Sequence, residues 1–345
     1  MICIMLKTLL GHIVFLFTLL CVMVSSSYEL YAQQESVPYD GTRNLTKLTF
    51  MPNWLPQSQF TGYYIAKIKG FYEEEGLDVT ISHLPHGSTY SVLDCLNEGT
   101  VDVVSDLLVT SMLAFSNGYD IVNVLQTSQH GALMCVSQEP IGKLEDLAGK
   151  KIGVWRSGNA ECAQIAFAEH NVKVNWIPFI RDVNIFIFKA VDAILAYSYS
   201  EYLELLLSKG EIPQENLLRF SELGFDFPED GLYVKSDYLN GNRETLEAFV
   251  RASVRGWKWA AENREEAVDM VWHYLKPFQT GTSRYFQFIM LDEVLRLQLS
   301  GEKRSFRPID RKKFNILKEK LFNYGILTHD IEYNKFIVDL SDNEN

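Results

Sequence analysis

The sequence predicts an α/β protein built from two blocks and completed by a helical region. Short β-type segments alternate with helical segments over 45–125, and the same alternation restarts over 144–210. Strands of about four to six residues separated by helices of about ten are typical of a mainly parallel sheet covered by helices. From residue 236 onward, the apolar residues follow the helical period instead.

The first block opens with a β-type alternation over 45–51, which a turn containing Pro52 and Pro56 ends. A helix is predicted over 62–69, because Gly70 follows as a stop signal. The remaining strands of this block are predicted at 77–81, 101–104 and 121–125, with helices at 88–98 and 110–117 between them.

The second block runs from about 138 to 230, with strands that end at Trp155, Pro178 and Ala196. The segment 231–235 is predicted as a strand that returns to the first block. No linker rich in Pro, Gly or Ser separates the blocks, so we expect the chain to cross between them through ordered strands. In the helical region, one apolar face is formed by Leu246, Phe249, Val250, Ser253, Val254 and Trp257. Further helices are predicted at 265–275, 284–299 and 310–321.

The N-terminal segment has the pattern of an export signal. Lys7 precedes an apolar run over 13–24, which is shorter than the ~20 residues of a membrane-spanning helix. Small residues follow, and we predict a signal peptide over 1–32 that is cleaved near Ala32. The alternative is an uncleaved anchor. In both cases we expect an exported protein, either periplasmic or tethered at the outer face of the membrane.

Composition excludes several classes of protein. The chain has 345 residues, a formal net charge of -12 and a hydrophobic content of 47%. This apolar content is too high for a disordered chain, and the acidic balance argues against binding to nucleic acid. Two of the five cysteines fall in the predicted signal, and we expect the others to be buried thiols: Cys95, Cys135 and Cys162.

Motifs for catalysis are absent from the sequence. It contains no dinucleotide-binding glycine pattern, P-loop, hydrolase nucleophile elbow or zinc-protease helix. His83 and His86 are the only close histidine pair, and no cysteine or carboxylate lies at ligand spacing from them. We therefore expect no catalytic residue, no metal and no cofactor.

Polar and aromatic residues follow the predicted strands of both blocks. Ligands of open α/β sheets bind beyond the carboxyl ends of the strands, so these clusters are candidate binding elements. Trp54 and Tyr63 have a second interpretation, in which they only pack against the neighbouring helix. The clusters are 53–64, 105–106, 156–159 and 197–202.

Several motifs carry a family resemblance, and they occur in order along the chain. They are Asn53-Trp54 with the residues to Ala66, then 70–79, 144–154, 191–202, 229–233 and 255–263. In this succession the chain resembles the periplasmic solute-binding proteins for thiamine pyrimidine precursors and for sulfonate or nitrate, within the thiamine pyrimidine synthase-like superfamily. The resemblance spans roughly 45–300 and implies a type II periplasmic binding protein. Two α/β lobes, 45–137 with 232–345 and 138–231, would be joined by two crossing strands and hold the ligand between them.

The resemblance also implies how a ligand is held. The pyrimidine ring is expected to stack on aromatic side chains, and its amino group to meet a carboxylate. By position these roles fall to Trp54, Tyr199 and Glu201, and then to Asp106 and Glu229. An aminopyrimidine has a flat π face with donors and acceptors at its edges, which suits such residues. The candidate ligand-binding set is Asn53, Trp54, Gln59, Tyr63, Asp106, Ser157, Asn159, Asn184, Tyr199, Glu201 and Glu229.

We therefore expect a monomeric ABC-transporter substrate-binding protein. It would capture hydroxymethylpyrimidine or formylaminopyrimidine as part of thiamine biosynthesis and deliver it to a membrane permease. Three alternatives stay open. Arg156 and Arg181 would suit a sulfonate or nitrate, and a sensor would present the closed lobes to a membrane receptor. A pyrimidine synthase using pyridoxal phosphate would need a lysine and a histidine, where this chain has Asp106 and Thr110, and a cysteine-rich iron stretch that it lacks.

Overall fold

The structure is a computed structural model that describes residues 44–85, 87–156, 160–180, 182–299 and 306–341. The predicted signal peptide over 1–32 lies outside these residues, as do the candidate site residues Ser157 and Asn159. Within the described ranges, no helix is both long enough and apolar enough to cross a membrane.

Ten strands in the described residues form two sheets. The strands are β1 (Thr46–Met51), β2 (Leu77–Ile81), β3 (Val103–Leu107), β4 (Ile121–Gln126), β5 (Leu133–Ser137), β6 (Lys151–Trp155), β7 (Asn175–Phe179), β8 (Ala193–Tyr197), β9 (Leu217–Arg219) and β10 (Asp230–Lys235). The first sheet has the order β2-β1-β3-β10-β4, and the second has the order β7-β6-β8-β5-β9.

In each sheet, one antiparallel strand comes directly after the chain has crossed from the other sheet. β10 pairs antiparallel with β3 and β4, and β5 pairs antiparallel with β8 and β9. The pairs β1–β2, β1–β3, β6–β7 and β6–β8 are parallel. The chain therefore crosses between the sheets twice, through 127–132 and 220–229, which we call the crossing segments. This is the two-lobed type II arrangement that the resemblance implies.

The strand order places the boundaries between the two sheets at residues other than those expected for the lobes. β5 belongs to the second sheet, although the expected first lobe extends to residue 137. β10 begins at Asp230 in the first sheet, although the expected second lobe extends to residue 231. Four of the five β5 residues are buried, as are all six of β4, so neither strand shows a polar face. Sequence alone therefore did not show which sheet receives β5.

Helices cover both sheets and complete the first lobe. They span Thr61–Ile68, Phe71–Glu74, Val92–Asn97, Leu108–Ser116, Glu161–Glu169, Asn184–Ile187, Glu201–Lys209, Ser236–Glu262, Arg264–Leu275, Arg284–Gln298, Arg311–Asn323 and Tyr333–Phe336. The helix expected over 88–98 begins only at Val92, because Ser91 and Asp94 form a capping box there. The predicted apolar face of the long helix is largely confirmed, since Leu246, Phe249 and Trp257 are fully buried.

Two glycines let the long helix approach the helix Thr61–Ile68 closely. A Cβ atom on Gly256 would lie 2.0 Å from the carbonyl oxygen of Gly62. A Cβ atom on Gly62 would lie 2.2 Å from the ring of Trp257. This contact fixes the position of Thr61–Ile68, and therefore of the short turn Ser58–Phe60 that precedes it. Gln59 in that turn lines the space between the lobes.

Candidate functional site

A small cavity of about 60 Å³ lies between the two lobes, and we call it the cleft cavity. The residues that line it lie at or just after the carboxyl ends of β1, β3, β6 and β8, where ligands of open α/β sheets bind. The first lobe contributes Asn53, Trp54, Gln57, Gln59 and Leu107, and the second contributes Trp155, Tyr197, Tyr199, Ser200 and Glu201.

Aromatic rings from both lobes meet at this cavity. Trp54 is 44% exposed and contacts Trp155 across the cleft, with the ring centroids 5.8 Å apart and the planes nearly perpendicular. In the second lobe, Tyr197 and Tyr199 stack with their centroids 5.5 Å apart. The flat faces of these side chains are suited to contact with a planar ring.

A chain of amide hydrogen bonds connects the lobes beside the aromatic rings. Nε2 of Gln57 donates to Oε1 of Gln59 at 2.6 Å. Nε2 of Gln59 donates to both carboxylate oxygens of Asp230, at 3.0 and 3.2 Å, and lies 3.5 Å from the hydroxyl of Tyr199. Gln59 is therefore held by the return strand of the first lobe while it reaches a residue of the second.

Buried carboxyl groups lie behind the lining of the cavity. Asp106 and Asp230 stand on the adjacent strands β3 and β10, where Gly231 pairs with Asp106. Burial raises the pKa of Asp106 to about 7, and the nearby Asp230 carboxylate adds to this effect. Burial also raises the pKa of Asp230 to about 6, although the Gln59 amide offsets part of the change.

Two further carboxyl groups accept hydrogen bonds from the backbone of the second lobe and of a crossing segment. Oε2 of Glu201 accepts from the Tyr197 N–H at 2.8 Å, and Oε1 of Glu229 accepts from the Ala132 N–H at 2.8 Å. Burial nevertheless raises the pKa of Glu201 to about 7 and holds that of Glu229 well above its usual range. Near neutral pH the Glu201 carboxyl is therefore poised between donor and acceptor forms.

Hydrogen-bond acceptors dominate over cations at the cleft cavity. No lysine or arginine is found among the described residues that line it. The side-chain amide of Asn53 donates to Asp106, whereas its buried Oδ1 has no partner. A ligand here meets acceptors and flat rings, which suits a neutral or cationic heterocycle with N–H donors.

The structure brings some of the predicted site residues to the cavity and not others. Five line it: Asn53, Trp54, Gln59, Tyr199 and Glu201. Tyr63 does not, because it is buried against Phe50 and Trp257 in the core. Asn184 lies exposed at the start of the short helix Asn184–Ile187 and does not line it either.

Sequence reasoning missed five lining residues. Gln57, Tyr197 and Ser200 fall inside the polar clusters 53–64 and 197–202, and Leu107 directly follows Asp106. Trp155 and Tyr197 are the last residues of β6 and β8, so their places at carboxyl ends were a usable signal.

The described residues contain no group of three or more His, Cys, Asp or Glu side chains that is arranged to hold a metal ion. Cys95, Cys135 and Cys162 are free thiols. Burial raises the pKa of the Cys135 thiol to about 12, so that group is unreactive at neutral pH.

Comparison with known proteins places the chain in a family of binding proteins and related enzymes. A family model described as NMT1/THI5 like matches residues 57–267. The riboflavin-binding protein RibY of Chloroflexus aurantiacus is 26% identical over 246 residues, which is 69% of each chain. The formylaminopyrimidine-binding protein of Halalkalibacterium halodurans is 25% identical over 238 residues, covering 66% of this chain and 70% of that protein.

Enzymes of the same family match a shorter part of the chain. The 4-amino-5-hydroxymethyl-2-methylpyrimidine phosphate synthase THI11 of Saccharomyces cerevisiae is 28% identical over 110 residues, covering 31% of this chain and 32% of the enzyme. RibY and the formylaminopyrimidine-binding protein, which match over about two thirds of both chains, are named as binding proteins. The comparisons therefore favour a binding protein over the synthase.

Solved structures confirm the fold class. The aliphatic sulphonate binding protein SsuA of Escherichia coli has a TM-score of 0.63 at 15% identity, covering 88% of this chain and 95% of that one. The nitrate-binding protein NrtA of Synechocystis PCC 6803 has a TM-score of 0.59 at 14% identity, covering 85% and 86%. Both are periplasmic binding proteins, and at these identities the likeness establishes the fold alone.

Proposed function

The chain belongs to the NMT1/THI5-like family, and from that premise we propose that it binds a thiamine pyrimidine precursor between its two lobes. It would act as the exported substrate-binding protein of an ABC importer and deliver hydroxymethylpyrimidine or formylaminopyrimidine to a membrane permease. The relative named as a formylaminopyrimidine-binding protein supports this ligand class.

One observation carries the proposal: the cleft cavity combines aromatic faces from both lobes with acceptor groups and without a described basic side chain. A pyrimidine ring presents a flat face to Trp54 and Tyr199, and its exocyclic amine donates to a carboxylate such as Glu201. A sulfonate or nitrate would require cationic or backbone donors instead. Of the arginines considered for an anion, Arg156 is exposed and does not line the cavity, and Arg181 lies outside the described residues.

Ligand entry requires the cleft to widen. The cleft cavity of about 60 Å³ is much smaller than the ~300–1,000 Å³ of a small-molecule site. We infer that the lobes open about the crossing segments, or that Trp54 swings outward, and that ligand contacts with both lobes favour closure. The gain in contacts on closure supplies the differential affinity that such a change needs.

A flavin is a second candidate ligand, because a relative matched over 69% of each chain is named a riboflavin-binding protein. The isoalloxazine ring is also flat, with an N–H donor and acceptors at one edge, so the same aromatic and carboxyl groups suit it. Its larger ring system requires more opening of the cleft than a pyrimidine does.

Isothermal titration of the mature chain tests these proposals, with hydroxymethylpyrimidine, formylaminopyrimidine, riboflavin, taurine and nitrate as ligands. Unfolding and refolding before the titration removes any ligand carried through purification. We expect saturable binding of a pyrimidine and none of taurine or nitrate. Binding of riboflavin alone, with quenching of flavin fluorescence, would show that the cleft ligand is a flavin and not a pyrimidine. Binding of taurine or nitrate alone would overturn both.

A further inference from the structure

A second and larger cavity, of about 580 Å³, lies beside the crossing segments, and we call it the hinge cavity. Its volume falls in the range of ~300–1,000 Å³ that is usual for small-molecule sites. It shares no lining residue with the cleft cavity. Ser198 and Tyr202 line the hinge cavity, whereas Tyr197, Tyr199 and Glu201 line the cleft. The turn over 197–202 therefore separates two distinct spaces.

Two acidic side chains of the hinge cavity are already neutralised by neighbours. The Asp226 carboxylate pairs with Nδ1 of His130 and with Nζ of Lys313, each at 2.9 Å. Nε and Nη2 of Arg296 donate to Oε2 and Oε1 of Glu293, each at 2.7 Å. Most of the charged side chains along the wall therefore already have a partner of opposite charge.

Among the described residues that line this cavity, Arg219 is the cation without a hydrogen-bond or ion-pair partner. It lies half-buried at the end of β9, and its guanidinium makes no hydrogen bond or ion pair with any described residue. Glu222 also lines the cavity, but it is exposed to solvent and forms no ion pair with Arg219. A half-buried guanidinium without a partner has lost part of its hydration and favours an anion.

A hydroxyl without a partner and an apolar wall accompany Arg219. Ser198 lines the cavity, and its buried Oγ has no hydrogen-bond partner. The wall includes Met134, Leu203 and Leu297, which are all buried. The space thus joins a cationic and hydrogen-bonding part to an apolar part, which is the complement of an organic anion.

We propose that the hinge cavity is a second binding site, for a small organic carboxylate with an apolar body. The carboxylate pairs with the guanidinium of Arg219 and accepts a hydrogen bond from Oγ of Ser198, while the apolar body lies against Met134, Leu203 and Leu297. The site does not depend on which ligand the cleft binds, because the two cavities have separate linings.

The probe for this site is 4-phenylbutyrate, titrated calorimetrically into the mature chain. The uncharged 4-phenylbutanamide, which has the same apolar body, is the ligand control. We expect saturable binding of the carboxylate and at least about tenfold weaker binding of the amide, because only the carboxylate forms a charge-assisted hydrogen bond with Arg219. Wild-type protein that gives no saturable heat with 4-phenylbutyrate overturns the proposal, as does equal affinity for the two compounds.

Amino-acid substitutions test whether 4-phenylbutyrate binds in the hinge cavity. Arg219→Gln should weaken 4-phenylbutyrate binding at least about tenfold. Arg243→Gln is the matched control and should leave it unchanged, because Arg243 lies on the long helix, exposed and paired with Glu247. Thermal unfolding of Arg219→Gln verifies that it folds, and if it does not, Ser198→Ala carries the test with the same expected direction. Unchanged affinity in a folded Arg219→Gln or, failing that, in Ser198→Ala contradicts the site, whatever the cleft binds.

Discussion

Gln59 donates hydrogen bonds from Nε2 to both carboxylate oxygens of Asp230, at 3.0 and 3.2 Å. Both side chains are buried, and they connect the turn after β1 to the first residue of the return strand β10. The contact thus joins two parts of the first lobe that are 171 residues apart in sequence. It also sets the position of the amide beside Tyr199 in the second lobe.

Replacing Gln59 by Leu should therefore lower both stability and ligand affinity. Asp230 would lose the donor that holds down its pKa, and a buried carboxyl group without that donor costs about 1–3 kcal/mol. Urea denaturation at pH 7 measures this loss, and titration measures the affinity. Gln279→Leu is the control, because Gln279 lies in a turn outside both cavities. Wild-type stability and affinity in Gln59→Leu would show that the contact is incidental.

Trp54→Ala should weaken binding of the cleft ligand by about tenfold or more, since stacking adds ~0.5–1.5 kcal/mol to the area that the ring buries. Stability should change little, because Trp54 is 44% exposed. Titration and thermal unfolding give the two values. Tyr90→Ala is the matched control, as Tyr90 is 55% exposed and does not line the cleft cavity. Equal affinity in wild type and Trp54→Ala would remove Trp54 from the site.

Local patterns were sufficient to predict part of the cleft. Asn53, Trp54, Tyr199 and Glu201 follow strands directly, and the carboxyl-end rule brings such residues together whatever the details of packing. Tyr63 was not separable from them, because the helix Thr61–Ile68 is buried from Thr61 through Ala66 and has no polar face to orient it.

Sequence patterns do not predict which elements far apart in the chain come together. The membership of β5 in the second sheet depends on pairing with β8 and β9, and its apolar sequence fits either sheet. The hinge cavity brings together Ser198, Arg219 and Arg296 from separate elements, so no local spacing marks it. The raised pKa values of Asp106 and Glu201 likewise arise from burial that only the folded chain creates.

The buried carboxyl groups predict that the unliganded protein loses stability as pH rises from about 5 to 8. The pKa of Glu201 is raised from 4.5 to about 7, so the folded chain binds this proton more tightly than the unfolded chain does. Stability from this group is complete below the unfolded pKa and is lost as pH rises through the folded value. Asp106, raised from 3.8 to about 7, acts in the same direction.

Glu201→Gln should flatten that pH dependence, because the amide does not titrate. Each pKa unit corresponds to about 1.4 kcal/mol, so we expect the stability lost between about pH 5 and pH 8 to be smaller in this variant by at least ~1 kcal/mol. Urea denaturation across this range provides the measurement. Glu262→Gln, at an exposed position on the long helix, should keep the wild-type slope. An unaltered slope in Glu201→Gln would show that Glu201 does not titrate in this window.

The glycine contact between the helices Thr61–Ile68 and Ser236–Glu262 gives opposite predictions for two glycines of Ser236–Glu262, which lie on either side of its kink at Asn242. Gly256→Ala should destabilise the protein by about 1–3 kcal/mol or more, because its Cβ atom would lie 2.0 Å from the Gly62 carbonyl oxygen and force the helices apart. Gly241→Ala should instead be neutral or stabilise by up to about 1 kcal/mol, since a Cβ atom there has no neighbour within 4 Å.

Because the helix Thr61–Ile68 follows directly on the turn that carries Gln59, Gly256→Ala should also weaken ligand binding, whereas Gly241→Ala should not. Urea denaturation and titration of the two variants measure both effects, and equal stability of the two would exclude close helix packing as the support of the cleft.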